Sequence, residues 1–382
     1  MPNCFKNRKF KKMNYIWQYP NWTDFKWDDK TLLKELAQAR LAQGKLITRF
    51  QSLGMRLIEE AQGEILAKEA MKTAEIEGLK LDPDSVRSSV ASRLGLPTAG
   101  LPSPGRDIEG LVDVLLDATR NYNQPLTMTR LKSWQAALFP TGYSGLSKIR
   151  TGQWRGPDPM QVVSSPLGHE VIHSMAPPHN NLPSEIKTFL TWWKSSLLHM
   201  EGLIRAGIAH FYFVTIHPFE DGNGRIARAL TDMALAQDEK SSLRIYSLSN
   251  RIMEERKDYY DVLEICQKSN GDITPWLLWF LGSFKRAVTH SNSLIANIFA
   301  KAEFWSVHAQ SNMNDRQKKV VNRILSAGKG GFEEGLTTKK YVSMAKTSRA
   351  TAFREIADLV MKKMLVQNPS KGRNTSYDIN WP

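Results

Sequence analysis

The sequence is 382 residues long and 41% apolar, with 11 tryptophans, so it can bury the cores of two or three domains. The apolar run at residues 275–281 is far shorter than the ~18 residues of a membrane span and predicts a buried helix. The sequence has two cysteines, Cys4 and Cys266, which exclude a disulfide framework or a thiolate metal site and favour a reducing cytoplasm. The net charge of +14 is concentrated at the ends: +5 in residues 1–12, +8 in residues 315–382 and +1 between them.

The N-terminal stretch predicts a basic tail followed by an aromatic strap. Residues 1–12 lack a following apolar run, so they are not a signal peptide, and we expect a disordered tail with Met13 as an alternative start. Residues 15–27 hold six aromatic side chains around a Pro-Asn turn signal. We expect these rings to pack on a helical core; a stacking platform for nucleotides is the alternative.

Apolar residues at helical spacing over residues 28–80 predict two helices broken near Gly54. The second helix ends at Thr73-Ala-Glu-Ile-Glu-Gly78. Thr73 and Glu77 are four residues apart, so they lie on one face of that helix, and Gly78 can end it. Taken alone, this spacing is equally typical of a solvated helix end.

The middle of the chain alternates connectors and helices. Residues 81–105 form a Pro- and Gly-rich connector with a short helix at 85–94, and helices follow at 111–122 and 129–138. After a turn-rich stretch, two β-prone runs around a Ser-Pro-Leu-Gly turn predict a β-hairpin at residues 160–173. Its strand edges could accept an extended peptide, or the hairpin could merely cover the core.

Residues 217–228, His-Pro-Phe-Glu-Asp-Gly-Asn-Gly-Arg-Ile-Ala-Arg, lie between two segments of helical spacing, 189–213 and 225–235, and are predicted to be a loop joining two helices. The second helix would begin near Gly222-Asn223-Gly224, where free backbone N–H groups and the helix dipole favour an anion such as phosphate. Arg225 and Arg228 are three residues apart and can face the same anion.

Other phosphate and metal motifs do not fit this stretch. Gly222 to Ala227 formally matches G-x-G-x-x-A, but it follows a helix, whereas a dinucleotide site requires a preceding strand. A calcium loop with Gly224 at its invariant glycine would place Leu230 where a bidentate acid is needed. The sequence holds no P-loop.

The stretch resembles the signature of the Fic family, H-x-F-x-[DE]-G-N-G-R-x-x-R, at every specified position. Residues 73–78 are similar to the inhibitory pattern [ST]-x-x-x-E-[GN] of Fic proteins that carry their own inhibitor. Residues 247–267 and 271–280 look like the closing helices of that fold, and the aromatic N-terminal segment resembles an extra domain of one Fic subgroup.

The resemblance implies transfer of AMP from ATP to a Ser, Thr or Tyr hydroxyl of a protein, which could be another protein or this one. His217 would be the general base, and Asp221 would hold Mg²⁺ against the α- and β-phosphates. The anion cradle would comprise Gly222, Asn223 and Gly224, with Arg225 adding a charge-assisted contact. Arg228 would hold the γ-phosphate, and Phe219 would anchor the loop in the core.

By the same resemblance, Glu77 would pair with Arg228 and hold the enzyme in an inhibited state, supported by Thr73. The hairpin at 160–173, here called the flap, would align the target segment beside His217. Tyr259 and Tyr260 would line the adenine pocket, although core packing explains them equally well.

Residues 315–382 predict a separate winged helix-turn-helix: helices at 315–325, 337–345 and 347–364, then a hairpin wing at 366–379. Its candidate DNA contacts lie at the start of the third helix and in the wing: Ser348, Arg349, Thr351, Arg354, Lys371 and Arg373. DNA binding would account for the charge of +8, but such modules also bind proteins or form homodimers.

The sequence therefore predicts a mainly α protein: a Fic helical bundle with a short β-hairpin flap and a C-terminal winged helix-turn-helix. Its expected parts are a tail at 1–12, an N-terminal helical region at 13–105 with the inhibitory helix at about 55–80, a catalytic core at 106–300 and the winged helix. The expected function is an autoinhibited protein adenylyltransferase. A DNA-binding regulator whose core senses nucleotide is one competing hypothesis, and a Fic enzyme that removes AMP or transfers another phosphate-containing group is another. The sequence does not identify the target protein.

Overall fold

The computed structural model describes residues 15–51, 55–164, 171–330, 332–369 and 375–382. The described chain is mainly helical with small two-stranded hairpins, which confirms the predicted fold class. It forms two compact units that divide between Ser291 and Asn292. None of the helices in the described residues has both the length and the apolar character that a membrane crossing requires.

The N-terminal part of the first unit contains α1 (Asp29–Gln51), α2 (Met55–Ile76) and α3 (Pro83–Leu94). The predicted break near Gly54 lies outside the described residues. The aromatic strap packs on the core as expected: the rings of Trp22 and Tyr212 are 5.2 Å apart, and those of Phe25 and Phe211 are 5.6 Å apart, centroid to centroid. Edge-to-face contacts of this kind stabilise the packing beyond the area they bury.

The core of the first unit is a helical bundle. Its helices are α4 (Arg106–Arg120), α5 (Met128–Leu138), α6 (Leu182–Ser196), α7 (Gly202–Ile216), α8 (Asn223–Glu239), α9 (Leu248–Glu254), α10 (Arg256–Gln267) and α11 (Thr274–Val307), the last of which continues past Ser291. Every residue of α7 from Leu203 onward is buried, so this helix forms the centre of the bundle. Residues 275–281 lie in α11, as predicted.

The prediction of one helical segment over residues 189–213 was wrong, because the chain breaks between α6 and α7. Glu201 caps α7 by accepting a hydrogen bond from the Ile204 backbone N–H at 2.8 Å, and the same carboxylate pairs with Arg40 of α1. Leu197, one of the apolar residues of that segment, is 45% exposed at the end of α6. A capping contact that depends on a distant arginine leaves no periodic signal in the sequence.

Two short hairpins flank the bundle. Strands β1 (Tyr143–Ser144) and β2 (Ser147–Lys148) pair in the turn-rich stretch. Strands β3 (Gln161–Ser164) and β4 (Val171–Met175) pair antiparallel with an irregularity at Val162/Val163, which confirms the predicted hairpin of the flap. The Ser-Pro-Leu-Gly turn between them lies outside the described residues.

The second unit has its own apolar core. It contains α12 (Asp315–Ala327), α13 (Thr338–Ala345) and α14 (Arg349–Met361), followed by β5 (Leu365–Gln367) and β6 (Tyr377–Ile379). Buried Glu355 joins its helices, because its carboxylate accepts a hydrogen bond from Tyr341 at 2.8 Å and pairs with Arg316. Three helices followed by a hairpin match the order predicted for the winged helix-turn-helix.

Candidate active site

The loop between α7 and α8 is held by its own residues. His217 ends α7 in the left-handed conformation, at φ 49°. The side chain of Asn223 then bonds both backbone groups of Phe219, accepting from its N–H at 2.9 Å and donating to its carbonyl at 2.8 Å. Phe219 is fully buried, as an anchoring role predicts. Gly222 has φ of +90°, and a Cβ there would lie 3.0 Å from the ring of Phe139, so both conformation and space require glycine.

The His217 imidazole is set up as a base. Its Nδ1 lies 3.1 Å from the carbonyl oxygen of Val214. Because a carbonyl can only accept, Nδ1 carries the proton and the neutral ring presents the lone pair of Nε2. Burial, reinforced by the cation of Arg155, lowers the pKa of His217 below its ordinary value. The imidazole is therefore neutral, and able to take a proton, at physiological pH.

Arg155 fixes the backbone around this histidine, and sequence reasoning missed it. It is 2% exposed. Its Nε donates to the carbonyl of His217 at 2.8 Å, its backbone N–H donates to that of Pro218 at 2.9 Å, and its Nη2 donates to the carbonyl of Pro177. One buried side chain thus ties the loop between α7 and α8 to the segment that follows β4.

The predicted anion cradle lies at the start of α8 and would comprise the backbone of Gly222, Asn223 and Gly224 and the side chains of Arg225 and Arg228. Both arginines are almost fully buried. Within the described residues, Arg225 Nε and Arg228 Nη1 have no hydrogen-bond partner. Buried cationic groups without partners are costly, so these two nitrogens favour an anionic guest.

Glu77 and Thr73 occupy the other side of Arg228. Arg228 Nη2 pairs with the Glu77 carboxylate at 2.5 Å, while Nε contacts Thr73 Oγ1 at 2.5 Å and Nη2 contacts the Thr73 carbonyl at 3.0 Å. A Cβ built at Gly224 would collide with the Glu77 carboxylate. That carboxylate therefore lies directly against the cradle, 151 residues along the chain from Arg228.

A third polar residue, Glu69, continues this face of α2 and was not predicted. It lies four residues before Thr73 and eight before Glu77, so the three share one helix face. Glu69 is buried at the start of α9, where its carboxylate accepts hydrogen bonds from the Ser247 hydroxyl at 2.7 Å and from the Ser249 backbone N–H at 3.2 Å. The spacing of 69, 73 and 77 was the available signal.

Asp221 faces the cradle from the loop. Its carboxylate accepts hydrogen bonds from the Gly222 N–H and from the hydroxyl of Ser144 on β1, and it lies 3.7 Å from Arg225. No cluster of three or more His, Cys, Asp or Glu ligands occurs in the described residues. A lone, partly exposed carboxylate beside an anion site fits Mg²⁺, which commonly takes one or two carboxylates together with substrate phosphates.

The two tyrosines proposed for the adenine pocket differ in position. Tyr259 is buried in α10, and its hydroxyl lies 2.8 Å from Nε2 of the fully buried His210. Tyr260 packs edge-to-face on Tyr259, and the guanidinium of Arg256 lies 5.3 Å from the centre of its ring. Tyr259 thus belongs to the core, whereas Tyr260 lies farther out on the same helix.

The described residues among the predicted DNA contacts include a capping pair and two exposed arginines. Ser348 caps α14 by accepting from the Thr351 N–H at 3.1 Å, and its hydroxyl also bonds that of Thr351 at 3.0 Å. Arg349 and Arg354 are exposed on the same helix. Lys371 and Arg373, the candidates in the wing, lie outside the described residues.

Comparison with known families and proteins agrees with this site. Residues 125–235 match the model of the Fic/DOC family, and residues 15–96 match a domain of unknown function, DUF4172. The chain is 30% identical over 121 residues to the protein adenylyltransferase Fic of Nematostella vectensis, covering 31% of this chain and 26% of that protein. It is 33% identical over 140 residues to protein adenylyltransferase fic-1 of Caenorhabditis briggsae, covering 36% and 25%. The chain thus spans about a quarter of the length of these curated relatives.

Solved structures show the same fold. A Fic family protein from Desulfovibrio desulfuricans G20 superposes with a TM-score of 0.51 over 91% of this chain and 95% of its own, at 19% identity. A Fic domain containing signaling protein from Bacteroides thetaiotaomicron VPI-5482 gives a TM-score of 0.52 over 68% and 97%, at 16% identity. The family predicted from residues 217–228 is confirmed. Residues 125–235 form a Fic/DOC family domain, and a DUF4172 domain lies on its N-terminal side.

Proposed function

We propose that this protein is an adenylyltransferase that moves AMP from ATP to a Ser, Thr or Tyr hydroxyl of a protein. The observation that carries the proposal is a neutral, partly buried His217 with a free Nε2 on the same loop as the predicted anion cradle, which holds two unpartnered arginine nitrogens. A base beside a phosphate site can activate a hydroxyl for attack on phosphorus. The partial similarity to protein adenylyltransferases supports this chemistry over other phosphate chemistry.

In the proposed reaction, His217 Nε2 takes the proton of the acceptor hydroxyl as its oxygen attacks the α-phosphorus of ATP. The bond between that phosphorus and the bridging oxygen to the β-phosphate breaks, AMP remains on the protein as a phosphodiester, and pyrophosphate leaves. The N–H groups of the cradle and Arg225 stabilise charge on the α-phosphoryl oxygens. Asp221 would hold Mg²⁺, which when bound neutralises charge on the α- and β-phosphates.

The contacts of Glu77 support autoinhibition as part of this proposal. Arg228 would bind the γ-phosphate, but its Nη2 is paired with Glu77 and the carboxylate lies against Gly224. A carboxylate and a phosphate oxygen cannot share this cradle, because like charges at contact distance repel strongly. ATP would then bind with its phosphates displaced, until the end of α2 moves.

Two forms of labelled ATP test the reaction. We expect the Glu77→Gly variant, incubated with ATP labelled at the α-phosphate, to attach the label to protein, and ATP labelled at the γ-phosphate to leave none. His217→Ala, which removes the base, should attach neither. Covalent label from the γ-phosphate would replace the proposal with phosphorylation.

AMP removal and nucleotide sensing would each give a different result. Release of AMP from a previously labelled protein would show that AMP removal is the favoured direction. Nucleotide binding without any covalent label in Glu77→Gly would favour a DNA-binding regulator whose Fic core senses nucleotide.

A further inference from the structure

A cavity of about 310 Å³ lies where the two strands of the flap join the core. Three parts of the chain build it: the N-terminal strap, the approach to β3 and the segment after β4. Its apolar walls include Trp17, Pro157, Pro159, Met160, Met175 and Pro177. No part of the reaction proposed above uses this cavity.

The cavity adjoins the start of β3, because Met160 lines it and Gln161 begins the strand. The β3–β4 ladder continues to a hydrogen bond from the Ala176 N–H to the Met160 carbonyl at 3.0 Å. On the outer side of β4, the Trp17 indole N–H donates to the Met175 carbonyl at 2.6 Å, so the strap occupies that edge. In the described part of the chain, β3 pairs with no strand other than β4. An added strand would therefore pair with β3.

The cavity also adjoins the catalytic loop. Arg155 lines it, and the same side chain donates to the carbonyl of His217 at 2.8 Å. Met160, which also lines the cavity, directly precedes β3, so a segment paired with the start of β3 would lie near the cavity wall that Arg155 joins to the backbone of His217. Consecutive residues of an extended segment advance by about 3.3 Å, so a side chain in the cavity and a hydroxyl at the base would be a few residues apart.

The lining decides what kind of group enters. Most of the lining is apolar and favours an apolar guest, because removing its surface from water is favourable, although His179 and Asn180 also line the cavity. Asp158, an exposed acid at the same cavity, disfavours a nucleotide phosphate, and the Arg155 guanidinium already donates to two carbonyls. The volume is at the lower end of small-ligand sites and suits one side chain.

We propose that this cavity binds a large apolar side chain, of the Leu, Met or Phe class, from a target protein segment paired along β3. The inference rests on the proposed AMP transfer, since it places this side chain at a fixed offset from the acceptor hydroxyl. Trp17 lies within the DUF4172 match, so that domain contributes directly to target selection.

The test uses synthetic peptides with one Ser, Thr or Tyr acceptor and a single Leu or Phe moved to each neighbouring position. Binding is measured by fluorescence anisotropy with the Glu77→Gly/His217→Ala protein without ATP, and labelling with the Glu77→Gly protein and α-labelled ATP. At one position relative to the acceptor, we expect the peptide with Leu or Phe to bind at least about 10-fold more tightly than the peptide with Ala at that position, because the apolar side chain is buried.

Two variants and one matched control complete the design. Met160→Glu places a charge in the cavity and should remove the offset preference, whereas Gln161→Glu adds the same charge at the next, exposed position of β3 and should retain it. Trp17→Ala enlarges the cavity and should shift the preference toward larger side chains. Thermal unfolding confirms that each variant is folded.

The outcomes separate the two proposals. Absence of any offset preference, absence of peptide binding, or a preference that survives Met160→Glu overturns the cavity inference, whether or not AMP is transferred. An offset preference in binding with no α-label on any peptide or on any protein supports the cavity and removes the adenylyltransferase proposal.

Discussion

Replacing Glu77 with glycine removes the carboxylate that pairs with Arg228, and the size of the effect follows from the geometry. The Arg228 side chain is 2% exposed and that of Glu77 is 27% exposed, so the pair is shielded on one side and open to water on the other. A hydrogen bond between charged groups contributes about 1.5–3 kcal/mol. Since 1.4 kcal/mol is a factor of ten, losing the pair should raise AMP transfer about 10- to 100-fold.

The assay is the initial rate of α-label incorporation at ATP concentrations below saturation. Glu75→Gly is the matched control, because Glu75 lies in the same turn but pairs with Lys72, away from the cradle. We expect that control to change the rate less than about twofold, and we expect Tm to fall by only a few degrees in either variant. Arg228 keeps its two contacts with Thr73 in Glu77→Gly, so the site should remain folded.

Equal rates of AMP transfer by the wild type and Glu77→Gly, with His217→Ala inactive, would refute the inhibitory role of Glu77 but would leave the role of His217 as the base unaffected. An equal rise in Glu75→Gly would attribute activation to general loosening of α2 instead of release of Arg228.

Four further predictions follow from the site and the second unit. Burial lowers the pKa of His217, and the neutral ring is the proposed base, so kcat/KM of Glu77→Gly should stay level from pH 8 to below pH 6.5 and fall only at more acidic pH. If the midpoint of that fall in kcat/KM lay above pH 6.5, the prediction would be contradicted. Ser144→Ala removes a hydrogen bond to Asp221 and should raise the Mg²⁺ concentration for half-maximal activity about 10-fold, whereas Ser147→Ala on the paired strand should not. Glu69→Ala removes the hydrogen bonds that hold α2 to the start of α9, so the helix can also shift as a whole, and the variant should show higher activity with Glu77 intact; unchanged activity in a folded variant would count against it. Duplex DNA should bind the protein at low salt, and Arg349→Ala and Arg354→Ala should each lower the slope of log binding constant against log salt concentration by about one. Absence of DNA binding at low salt would favour a protein-binding or dimerising role for this unit.

The sequence predicted the parts of the site that depend on local spacing. The loop from His217 to Arg228 was predictable because a capped helix end, a tight glycine turn and a helix start each leave a signal within a few residues. The left-handed Gly222 and the start of α8 at Asn223 both follow from that stretch.

The supporting residues were not predictable, because they are joined to the loop only by folding. Arg155 is 62 residues from His217, Ser144 is 77 residues from Asp221, and Glu69 is 178 residues from Ser247. Arg155 lies in a turn-rich stretch without periodicity, where nothing distinguishes a buried arginine from a solvated one. Glu69 differs, because its place on the face of Thr73 and Glu77 could have been read from the helix period.

The contact of Glu69 with the start of α9 changes what opening of the site requires. Glu77 lies just past the end of α2, and its amide and that of Gly78 are held by single hydrogen bonds to the carbonyls of Ala74 and Glu75, at 3.0 and 2.9 Å. Glu69 holds the helix two turns earlier, so release of Arg228 needs only local unfolding of the last turn. The amides of residues 77–79 should then exchange with solvent much faster than those near Glu69, and the rate of that opening would set how often the enzyme becomes competent.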